Sequence, residues 1–94
     1  MTRAIEAFES ALTIFTRDTV PATWLSIQNS LGVALTRQGE GNLGEAGLAL
    51  IKRAVAAFDA TLTICTPEHF GHLHTMAVHN RDLALALIAK RNGA

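Results

Sequence analysis

The sequence predicts an all-α fold of four helices, arranged as two stacked antiparallel hairpins. Three observations carry that expectation. The stretch AIEAFESALTIFT at 4–16 returns as AVAAFDATLTICT at 54–66, fifty positions on. Apolar residues recur at i, i+3, i+4 and i+7 in four stretches, the spacing of one helical face. No stretch alternates apolar and polar with β-branched enrichment, as a half-buried strand would.

The first helix is expected over 2–16, where Ala4, Ile5, Phe8, Ala11, Leu12 and Phe15 share a face. The second, 20–38, carries Trp24, Ile27, Leu31, Ala34 and Leu35, and Pro21 fits its first turn, where the missing N–H had no partner. GEGNLGEAG at 39–47 then breaks the chain. The third helix, 44–65, repeats the first through Ala54, Val55, Phe58, Leu62 and Cys65. For the fourth, 68–91, Thr66-Pro67-Glu68 supplies a capping hydroxyl, a proline and an acid at the positive end of the helix dipole. Its face reads Met76, His79, Leu83 and Leu87 when aligned on the second helix at an offset of fifty-two, with Trp24 opposite Met76 and a two-residue insertion between the matches. The whole chain, 1–94, reads as one domain, with copy one over 2–38 and copy two over 44–91. A hairpin of this size cannot bury its own apolar face, so a second copy gives that face a partner. Phe8 and Phe58, at the centres of matching stripes, are expected to pack the first helix of each copy on the second.

From Gln28 to Pro67 the chain reads Gln28, Leu31-Gly32, Leu35, Gly39, Ala54, Phe58, Thr61-Leu62 and Thr66-Pro67. This resembles one tetratricopeptide repeat (TPR), most closely the long-period bacterial variant, because about ten extra residues stand between Gly39 and Ala54. Residues 4–16 resemble the second helix of a preceding repeat, and 80–91 the first helix of a following one. The resemblance implies a short α-solenoid in which Gly32 and Ala54 allow close helix contact and Leu31, Leu35 and Phe58 fill the gaps. It also implies a non-catalytic scaffold for a protein or peptide partner, with no cofactor.

Composition narrows the remaining classes. Eight Lys and Arg balance eight Asp and Glu, scattered without the basic stripe that nucleic acid requires. One cysteine, Cys65, forms no internal disulfide and fits a reducing compartment, and the N-terminus has no signal-like apolar run, so a cytoplasmic setting is expected. The longest uninterrupted apolar stretch, Leu83 to Ala89, is far short of a membrane span.

Several motifs invite chemistry. Gly39, Gly41 and Gly44 spell G-x-G-x-x-G with Asp59 twenty residues on, but a dinucleotide turn must follow a strand and this one follows a helical pattern. A loop is expected, with no nucleotide. His69, His72, His74 and His79 crowd into copy two. With Cys65 they give an alternative reading, a small metal-binding or enzymatic protein built on His69, His72, His79 and Cys65. Yet His72 and His79 stand two turns apart, about 10 Å of helical rise, while zinc holds nitrogen at about 2 Å, so no metal ligands and no catalytic residues are assigned. His79 matches the core-facing Ile27, where burial would lower its pKa unless Asp82, one turn on, satisfies it. Trp24, His72, Met76 and His79 are the expected partner-facing residues. Leu85 and Ile88 are the expected contacts of a homodimer, because LALALIA is apolar on every side of its helix and two hairpins cover only one.

Overall fold

The computed structural model describes residues 2–93 and contains four helices: α1 (Thr2–Leu12), α2 (Pro21–Glu40), α3 (Glu45–Leu62) and α4 (Gly71–Gly93). Among the described residues there is no strand, so the fold is all-α. Residues 1 and 94 of the expected domain lie outside that description.

Both outer connections are built to one plan. α1 stops at Leu12, four residues before the expected end, because the Thr13 hydroxyl turns back to donate to the Ser10 carbonyl at 2.6 Å. α3 stops at Leu62 in the same way, with the Thr63 hydroxyl donating to the Ala60 carbonyl at 2.6 Å. Short hydroxyl side chains compete with the helix for backbone groups, and here they end it. The Thr16 hydroxyl accepts the Thr19 N–H at 3.3 Å, and the Thr66 hydroxyl accepts the His69 N–H at 3.0 Å. The next helices start at Pro21 and Gly71, so ends and starts alike stand fifty residues apart.

The fourth helix therefore begins at Gly71 rather than 68. Thr66 N–H donates to the His69 carbonyl, closing a turn around Pro67, and Phe70 sits at φ 63°, in the left-handed region that no right-handed helix contains. Thr66 caps this turn rather than a helix. Pro21, by contrast, does occupy the first turn of α2.

The start of α4 corrects the register. The repeat keeps its offset of fifty throughout, so Trp24 corresponds to His74, whose N–H donates to the Phe70 carbonyl as that of Trp24 donates to Val20. Two residues of register turn a helix by about 200°. The core face of α4 is consequently set by Ala77 and Ala84, both fully buried, in the places of Ile27 and Ala34. Of the expected stripe only Leu87 touches the core; Met76, His79 and Leu83 are exposed, and His79 makes no bond to Asp82, which is exposed too. Nor is α4 buried all round, since Leu83, Leu85, Ala86 and Ala89 reach solvent.

The core is densest between the copies. Phe58, Ile51 and Ala54 of α3 are fully buried with Leu35 of α2 at 1% exposure. A methyl group placed at Gly32 would lie within 2.8 Å of three Phe58 ring carbons, so only glycine lets the ring lie on the α2 backbone. Phe58 thus packs on the helix before it, whereas Phe8 is only half-buried at the edge of the core; the two phenylalanines do not play the matched roles expected of them. Phe58 lies by Gly32 and Ile51 by Gly39, so α3 runs back along α2. Arg81 pairs with Asp59, and Arg91 lies by Gly47, so α4 runs back along α3 and parallel to α2. α1 packs on α2, and the exposed pair Arg53–Glu9, at 3.2 Å, ties it to α3.

Candidate functional site

Parallel α2 and α4 leave a groove between them, with α3 beneath. Two contacts pin it. Arg91 Nη2 donates to the Gly39 carbonyl at 2.6 Å where both helices end, and Asn80 Nδ2 donates to Asn29 Oδ1 at 3.4 Å near the middle. Toward the helix starts no such pin closes the groove. It widens there into a hollow of about 560 Å³ lined by Ala22, Ser26, Asn29 and Ser30 of α2 and by Phe70, His72, Leu73 and Met76.

The hollow continues along the molecule. Met76 and Asn29 also border a second one that Ala4 and Phe8 of α1 close, together with Val33 and Arg37. On the other side of Asn80, Val33, Thr36 and Leu83 surround the edge of Phe58. Exposed apolar side chains therefore follow one another along the α4 bank: Phe70 at 43% exposure, Met76 at 41% and Leu83 at 50%. Charged side chains border the groove at Arg37, beside the second hollow, and at Glu40 and Lys90 toward the far end.

Asn29 is the unusual element. It is 5% exposed on an otherwise apolar strip of α2, and it borders both hollows. Its carbonyl oxygen accepts from Asn80 across the groove.

The residues expected from sequence fall in different places. His72 and Met76 line the groove. Trp24 is half-buried near the start of α2. His79 is exposed on the outer side of α4, Leu85 is 37% exposed on the flank away from the groove, and Ile88 packs against the core. Sequence reasoning missed Asn29, Asn80, Phe70 and Leu83. Asn29 carried a signal, a polar residue one turn after Leu25 in an apolar pattern; Leu83 was assigned to the core by the shifted register.

His69, His72, His79 and Cys65 are not gathered. Among the described residues no group of three or more His, Cys, Asp or Glu side chains is placed to hold a metal ion. Cys65 is buried, its thiol donates to the Phe70 carbonyl at 3.3 Å, and desolvation raises its pKa. A thiol held protonated in this way is a poor nucleophile and ligand. Gly39, Gly41 and Gly44 lie at the end of α2, at its cap and at the start of α3, with no strand before them. Among the described residues no helix is long and apolar enough to cross a membrane. The chain matches no protein-family model, no curated protein and no solved structure.

Proposed function

We propose that this chain is a non-catalytic interaction scaffold of TPR type that takes a protein or peptide segment into the α2–α4 groove. The observation that carries the proposal is the groove's row of exposed apolar side chains, Phe70, Met76 and Leu83, beside the buried Asn29 and its partner Asn80. Apolar anchors supply affinity to a bound segment, and a fixed amide beside them orients its main chain. The close approach of Phe58 to Gly32 supports the resemblance of residues 28–67 to one such repeat. The single buried, unpaired cysteine supports a reducing, cytoplasmic setting.

Photo-crosslinking tests this reading. A photoreactive residue in place of Met76 should capture a discrete partner from a lysate, and one at exposed Ala46, on α3, should not. Leu83→Glu should abolish the capture at Met76. Equal capture at both positions sinks the proposal. Self-association belongs to the same proposal, with Leu85 of two copies in a symmetric α4 contact; Leu85→Glu should convert a dimer to monomer, and light scattering of a monomer at tens of micromolar for the unmodified chain removes that part.

A further inference from the structure

We infer, resting on the groove reading above, that Cys65 is a positioning residue for the groove: its thiol, anchored at the end of α3, holds Phe70 in the left-handed conformation and so sets the mouth at which a bound segment is received. Two versions of one connection point to this. In copy one Phe15 stands at the place of Cys65, Val20 at the place of Phe70 and Pro21 at the place of Gly71. Val20 has φ −138°, in keeping with the extended backbone that a following proline imposes. Phe15 carries no donor and is 40% exposed. In copy two glycine replaces the proline and lifts that restriction, and Phe70 takes φ 63°. A residue with a bulky side chain holds such backbone only where its surroundings impose it.

The thiol supplies a constraint that copy one lacks. Cys65 N–H donates to the Thr61 carbonyl at 3.0 Å, so the residue continues the last turn of α3, and it is 1% exposed. From there Sγ donates to the Phe70 carbonyl at 3.3 Å. The same carbonyl accepts the His74 N–H at 2.8 Å, in the first turn of α4. One oxygen, through its two lone pairs, thus joins the end of α3 to the start of α4. These two bonds fix the peptide plane that follows Phe70. The turn before it is fixed by Thr66 N–H on the His69 carbonyl and by His69 N–H on the Thr66 hydroxyl, each at 3.0 Å. Phe70 is held between the two, and its ring lines the open hollow with His72, Leu73 and Met76. With the extended backbone of Val20 the same residue would carry its ring in another direction. Cys65 itself lines no part of that hollow, so it acts on the groove through Phe70.

Solution NMR of the full chain reads the backbone directly. The cross-peak between the amide and α protons of Phe70 should be strong, because only a positive φ brings those two protons close. Cys65→Ser keeps a donor and should retain the peak; Cys65→Ala removes the donor and should lose it. Gly71→Pro restores the proline of copy one at a position with open space around the added Cβ, and should lose the peak in an otherwise intact fold. With a photoreactive residue in place of Met76, capture of the partner should fall by about fivefold or more in Cys65→Ala and in Gly71→Pro, as for loss of one anchor, and should persist in Cys65→Ser. A strong peak retained in Cys65→Ala overturns the inference. So does capture that is unchanged when the peak is lost, or that falls as far in Cys65→Ser as in Cys65→Ala. If the unmodified chain captures nothing at Met76, the groove reading falls, while the cross-peak still decides whether Cys65 holds Phe70.

Discussion

α1 and α3 share nearly one sequence, and the structure gives them different surroundings. Phe58 is wholly buried while Phe8 is half-covered; Cys65 is 1% exposed while Phe15, at the matching position, is 40% exposed. Local sequence fixes what the two helices have in common: their ends, the threonine turns after them and the residues they turn toward a neighbour. Position in the stack fixes burial, because α3 has a helix on each side and α1 has one. The same side chain can therefore differ in energetic weight severalfold within a single short chain.

Truncating the two phenylalanines tests that difference most directly. Phe58→Ala should destabilise the fold by about 3–5 kcal/mol in urea unfolding, as full burial implies, and Phe8→Ala by no more than about 2. Equal losses would mean that the α1 face is covered. Gly32→Val should cost about 1–3 kcal/mol by forcing the Phe58 ring aside, while Asp82→Val at the matching exposed position should change stability by less than about 0.5.

Cysteine reactivity extends the comparison to pH. The folded pKa of Cys65 is raised by burial above its unfolded value. Its contribution to stability is then complete below the unfolded pKa and is lost as pH rises through the folded one. The chain should lose stability on the alkaline side of neutrality, and Cys65→Ala should flatten that part of the profile. At neutral pH a thiol reagent should leave Cys65 unlabelled in the folded chain and label Phe15→Cys readily. The smallest expected effect is a null. Thr13→Ala and Thr63→Ala each remove one hydroxyl bond of 2.6 Å from an exposed turn. Their losses should agree within about 0.5 kcal/mol, because each removes the same hydroxyl-to-carbonyl bond from an exposed helix end.

Much of this fold was legible in the sequence. The repeat at fifty, the four apolar stripes and the glycine-rich break define α1 to α4, and Leu31, Leu35, Ala54 and Phe58 reach the core as their spacing requires. The orientation of α4 was not legible. A stretch apolar on several sides matches more than one register, and leucines aligned better at fifty-two than alanines did at fifty. What decides is the turn at Thr66–His69 and the left-handed Phe70, whose geometry follows from backbone bonds that a pattern of apolar residues does not encode. The candidate site suffered from the same slip. Met76 and His72 were marked out, but Leu83 was placed inside, and Asn29 is significant only once α4 is seen to run beside it.

The unequal support of α1 and α3 also bears on how the molecule opens. α2 and α3 adjoin in sequence across residues 41–44 and share the best-buried contacts, so the chain can close them early, at little loop entropy. α1 joins that core through one buried residue, Ile5, with Ala4, Phe8 and Leu12 at its edge. Native-state hydrogen exchange should accordingly show α1 amides opening as a separate, less protected group, well below the free energy of global unfolding, while amides from Leu31 to Leu35 and Ala54 to Phe58 exchange last.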